Sequence, residues 1–163
     1  MSENIEIVPE KIHLRSIKLL GGNITANEDS SMEKIFGFNV QYGVKDELAF
    51  EENIFRFVFS VNLEALNKNE MPIGVRAQYS IEFIFYIENL AHYISAMDKK
   101  KNTIVFNPIL PNTLLSIVYS TSRGIILSRT QGTVMEGVIL PVIDTKALLA
   151  SLELRKTQQV SSI

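Results

Sequence analysis

Alternation of apolar and polar residues dominates the first half of the chain. Phe36, Phe38, Val40, Tyr42 and Val44 alternate with Gly37, Asn39, Gln41, Gly43 and Lys45, which predicts a half-buried strand with one apolar face. Phe55, Phe57, Phe59, Val61 and Leu63 repeat the pattern. Ile73, Val75, Ala77, Tyr79, Ile81, Phe83, Phe85 and Ile87 form the longest period-two run in the sequence. Asp46-Glu47 and Glu51-Glu52-Asn53 bracket one short turn, and Asn67 to Glu70 makes another. Three consecutive strands joined this way predict an antiparallel meander, because parallel pairs need long crossovers. Ahead of them, Lys11 to Leu20 mixes apolar and basic residues in imperfect alternation and predicts a first strand. Gly21-Gly22-Asn23 and then Ala26 to Ser31 read as a polar loop. Past Ser80, Ile84 and Tyr86 make both faces of the last strand apolar, so something covers the sheet at that end.

The second half changes period. From Glu88 to Asn112 no regular repeat holds: Asn89 to Met97 reads as a short helix, Asp98 to Asn102 as a charged surface loop, and Thr103 to Leu110 as an apolar run broken by Pro108. A linker of this length either has a task of its own or packs over the core as an arm. Pro111 to Gly132 then reads as one helix, with Pro at its start, Asn112 beside it and Gly at its end. Leu114, Leu115, Val118, Tyr119, Ser122, Ile125, Ile126 and Arg129 follow the spacing of one helix face. Ser116, Ser120, Gly124 and Ser128 recur every fourth residue on another side. That stripe is either an accident of a Ser-rich helix or a contact face where a second helix comes close. Thr133 to Leu140 reads as an extended connection stopped by Pro141. Asp144 is an N-cap for a second helix, Thr145 to about Arg155. The chain divides into an N-terminal extension (1–10), one domain (11–155) and a flexible tail (156–163).

Composition narrows the function classes. At 163 residues, 46% apolar and 21% charged, the chain is an ordinary globular domain with room for a sizeable core. A net charge of −2 gives no electrostatic programme for nucleic acid or membrane surfaces. No apolar run is long enough to span a bilayer, and the start, Met-Ser-Glu-Asn-Ile-Glu, lacks signal-peptide features; a cytoplasmic location is expected. With no cysteine, disulfides and thiolate metal sites are excluded. Phosphate loop, Rossmann glycines and nucleophile elbow are missing. His13 and His92 lie in separate elements, Ser120 to Ser122 lie inside a helix, and Arg123, Arg129 and Lys99 to Lys101 read as solvated. The chain is therefore expected not to be an enzyme and to carry no metal and no cofactor.

Four strands, a long crossover, a long helix and a last short helix, in this order, resemble the SecB export chaperones. Leu110-Pro111-Asn112-Thr113-Leu114-Leu115 is similar to the family's helix start and Ser128-Arg129-Thr130 to its helix end. Leu140-Pro141-Val142 through Lys146-Ala147-Leu148-Leu149 is similar to its closing segment. The resemblance spans roughly residues 10–152. It implies an α+β fold: a four-stranded antiparallel sheet, a crossover loop, then one long and one shorter helix on the sheet. It further implies an ATP-independent holdase whose partners are unfolded or precursor polypeptides, assembled as a homotetrameric dimer of dimers through Ser116, Ser120, Gly124 and Ser128. The implied client groove is lined by Phe83, Phe85, Tyr93, Ile94, Met97, Ile104, Phe106, Ile109 and Leu148. Where family members carry acidic residues that dock a SecA-type motor, this chain has Ser16, Leu20 and Arg76, which implies weak docking. SecB-like proteins also serve toxin–antitoxin pairs, so an antitoxin is an alternative partner. Two rival readings are an oligomeric interaction module with one fixed partner and a hotdog-type thioesterase.

Overall fold

Alternation becomes a sheet because period-two side chains share one face. The computed structural model describes residues 4–28 and 35–151. Strands β1 (Ile12–Ala26), β2 (Gly37–Ala49), β3 (Ile54–Leu66) and β4 (Pro72–Ile87) form an antiparallel sheet in the order β1-β4-β3-β2. Phe55, Phe57, Phe59, Val61 and Leu63 of β3 are buried, as are Ile73 to Ile87 at odd positions of β4; their even neighbours form the outer face. On that outer face, Arg56 of β3 donates to Glu82 at 2.6 Å and to Glu47 at 3.0 Å, and Arg76 donates to Glu64 at 2.9 Å. The doubly apolar end of β4 is covered by β1: the Arg15 guanidinium lies 4.2 Å from the Tyr86 ring centroid, and His13 stacks on the same ring.

Two strands run further than their sequence patterns suggest. β2 continues through Asp46 and Glu47, so the turn is confined to Phe50–Glu52 and Asn53, whose φ of 56° lies in the left-handed region. β1 continues through the Gly21-Gly22-Asn23 segment, which reads as a loop in the sequence. Gly22 pairs with Tyr79 across the ladder, and a Cβ there would stand 2.9 Å from the Tyr79 ring, so the glycine lets the ring lie flat on the strand. Register shifts at Leu14/Ser16 and Leu19/Gly21 mark bulges, which is why the alternation of β1 is imperfect.

The crossover differs from its sequence reading. Leu90–Tyr93 is a single 3-10 turn, and β5 (Ile94–Asp98) then pairs with β6 (Thr103–Phe106) as an antiparallel hairpin turned through the lysines. The long helix α1 spans Ile109–Thr130, two residues earlier at both ends than the Pro and Gly markers indicate. Asn107 starts it by accepting the Ile109 N–H through its side chain at 3.0 Å, and Pro111 falls in the first turn, where its missing N–H is harmless. Leu114, Leu115, Val118, Tyr119, Ser122 and Ile126 are buried, with Tyr119 edge-on to Phe59 at 5.9 Å; Arg129 at the end of that face is exposed. Residues 131–137 form consecutive turns, not an extended run. The second helix, α2, is described over residues 145–151, capped by Asp144 Oδ1 accepting the Lys146 N–H at 2.9 Å. Its continuation to Arg155, and the tail, lie outside the described residues. In the N-terminal extension, Ile5 and Ile7 pack against the core.

Candidate functional site

The apolar face of the sheet is roofed by two unequal covers. α1 lies over the end carrying Phe59, and the β5–β6 hairpin lies over the other, where Phe106 meets Phe55 at 5.8 Å. Between them the aromatic side chains form a row. Phe55 stacks on Phe57 at 5.0 Å, Phe57 meets Phe85 edge-on at 6.0 Å, and Phe85 pairs across the ladder with Leu14 of β1. The row is buried in the middle and meets solvent at both ends. Leu14 and Ile17 on edge strand β1 remain 38% and 43% exposed, although their β4 partners Phe85 and Phe83 are fully buried. At the hairpin end Met97 is 47% exposed beside its partner Ile104, on the face that also carries half-buried Ile94 and Phe106, whereas Val105, 51% exposed, stands on the opposite face of the hairpin.

The nine expected groove residues do not share one surface. Phe83, Phe85 and Tyr93 are wholly buried, so they underlie the surface instead of lining it. Tyr93 is fixed there: its hydroxyl accepts the Val8 N–H at 3.3 Å and its carbonyl the Asn107 N–H at 2.7 Å. Ile94, Met97, Ile104 and Phe106 stay together on the hairpin. Ile109 lines a cleft between the starts of α1 and α2, together with Ser116 and Thr145, whose hydroxyls are 2.9 Å apart. Leu148 lines another cleft of about 430 Å³, between α2 and Val40, Gln41, Tyr42 and Gly43 of β2. Sequence reasoning missed Leu14 and Ile17 of the open apolar surface, and exposed Val105 on the far face of the hairpin. The signal for the first two was the broken spacing Leu14, Ile17, Leu19, which two bulges convert into one continuous apolar edge.

Ser116, Ser120, Gly124 and Ser128 are all exposed on α1, and a Cβ at Gly124 would meet nothing within 4 Å. On the outer sheet face Ser16 is half-buried, Leu20 is exposed, and exposed Arg76 is tied to Glu64. Among the described residues no three His, Asp or Glu side chains cluster as metal ligands.

Four antiparallel strands, a crossover hairpin, one long helix on the apolar face and a short second helix make an α+β, SecB-like fold. Among solved structures the chain is similar to the SecB-like chaperone Rv1957 of Mycobacterium tuberculosis, in complex with a ChAD peptide from the Rv1956 HigA1 antitoxin. The TM-score is 0.56 at 12% sequence identity, over 83% of this chain and 92% of that one. At that identity the likeness is one of fold. No protein-family model matches the chain, and no curated protein matches it.

Proposed function

We propose that the protein is an ATP-independent holdase that binds extended stretches of unfolded polypeptide, in the cytoplasm and without catalysis. The observation that carries this reading is the apolar surface left open at both ends of the aromatic row: Met97 on the hairpin, Leu14 and Ile17 on β1. Apolar side chains left half-exposed beside a filled core mark binding surfaces. A flexible thioether among them suits a surface that accepts many sequences. The SecB-like fold and the peptide held by the Mycobacterium tuberculosis protein support an extended peptide as the ligand class. That same complex favours a second reading, a chaperone dedicated to one antitoxin, over a role in protein export. A hotdog-type thioesterase is disfavoured because its helix precedes most of its strands, whereas α1 follows all six here. Assembly through the exposed α1 stripe is part of the proposal.

Titrating a fluorescent, unstructured apolar peptide against the protein tests it. Met97→Asp with Ile17→Asp should weaken binding by about 10-fold or more, since each change removes apolar burial worth ~1 kcal/mol or more. Circular dichroism should stay unchanged, both positions being exposed. Unaltered affinity would place the ligand elsewhere.

A further inference from the structure

The segment after α1 is held by α1 side chains through its main-chain carbonyls. Tyr119 Oη donates to the Pro141 carbonyl at 2.6 Å, and Arg123 Nε donates to the Leu140 carbonyl at 2.9 Å. The single Tyr119 proton is thereby committed, so Tyr42 of β2 is the donor in its 3.0 Å contact with the Tyr119 hydroxyl. One hydroxyl thus ties an edge strand, the long helix and the returning segment. Burial holds the Tyr119 hydroxyl far above its ordinary range against the opposing Arg123 charge. It stays a proton donor through neutral and mildly alkaline pH.

The tie falls at a mechanical boundary. Before it, Met135, Val138 and Leu140 are buried and anchor the segment. After it, Val142 is 85% exposed, half-buried Ile143 touches the core, and α2 rests on half-buried Leu148 and Leu149 plus the Ser116–Thr145 contact. α2 forms one wall of the cleft beside β2, and Tyr42 lines the opposite wall. We infer that Tyr119, backed by Tyr42 and Arg123, is a positioning residue that fixes where α2 stands against β2 and so sets the width of that cleft. This rests on the clamp geometry, independently of the holdase reading.

Hydrogen exchange on the full-length protein tests it, together with distances between spin labels at Lys45→Cys and Ala150→Cys, which are specific because the chain has no cysteine. Tyr119→Phe keeps the ring against Phe59 and removes the donor. Exchange across residues 138–149 should rise by about 3- to 10-fold, the loss of one net hydrogen bond, with β3 and β4 unchanged. The label distances should broaden or lengthen. Tyr42→Phe, which removes the backing bond alone, should produce a smaller rise in the same segment. Should Tyr119→Phe fail to fold, Arg123→Gln provides the same test through the Leu140 carbonyl. Unchanged exchange in 138–149, a uniform rise that includes β3 and β4, or unmoved labels would overturn the inference.

Discussion

Gly22 and Tyr79 show how a single missing methyl group shapes the sheet. The Tyr79 ring occupies the space of a side chain on β1, with a would-be Cβ at 2.9 Å; at neighbouring Gly21 nothing lies within 4 Å. Gly22→Val should therefore cost about 1–3 kcal/mol through overpacking and lower the urea midpoint, while Gly21→Val changes it little. Tyrosine burial also sets an alkaline limit. Burial raises the hydroxyl pKa of Tyr79, against the Arg129 charge, and of Tyr119, against the Arg123 charge, both above the ordinary 10.0. Above that value the unfolded chain releases protons that the folded chain retains, so stability present below pH 10 declines as pH rises. Tyr119→Phe should flatten this decline in urea titrations between neutral and strongly alkaline pH; an identical slope would mean that the hydroxyl is solvated. None of this is legible in the sequence, where Gly21-Gly22 looks like a turn. The reason for the glycine lies about 57 residues away, across a ladder that only the folded chain assembles.

At the scale of elements, strands β2 to β4 are legible because alternation is a local consequence of a pleated, half-buried surface. The β5–β6 hairpin is not. Asn89 to Met97 has helix-compatible residues, and what decides its state is pairing with Thr103–Phe106 and packing on Phe55, both non-local. The same limit explains the scattered groove residues: Phe85 and Met97 are both apolar in sequence, but only the covering elements decide which is core and which is surface. The small-residue stripe of α1 is legible as spacing, and the structure leaves it exposed, facing away from the sheet. If two long helices meet there, Ser120→Leu should cost about 1–3 kcal/mol at each symmetry-related copy and lower the assembly state in sedimentation, with near-normal circular dichroism. A monomeric wild type, or a variant that keeps its full assembly, would reduce the stripe to coincidence.

For the whole molecule, the two faces of the sheet carry different chemistry. The outer face pairs Arg56 with Glu82 and Glu47, and Arg76 with Glu64, and also carries Arg15, Lys18 and Lys45, so it offers no acidic patch to a partner that docks on one. Association with a SecA-type motor should accordingly be weak; tight, salt-sensitive binding in a titration would contradict this. The inner face, apart from exposed Asp46 on edge strand β2, is carried by apolar and aromatic side chains and opens to solvent where β1 and the hairpin leave Leu14, Ile17 and Met97 uncovered. The order of elements, visible in the sequence as alternation followed by one helical period, places these residues at opposite ends of one aromatic row. The central claim is that this surface holds unfolded chains without nucleotide. Light scattering of a chemically denatured client, diluted with and without the protein and with no ATP present, tests it most directly. Suppression of aggregation at stoichiometric amounts, diminished by Met97→Asp with Ile17→Asp, is the predicted result; undiminished aggregation at those amounts would contradict it.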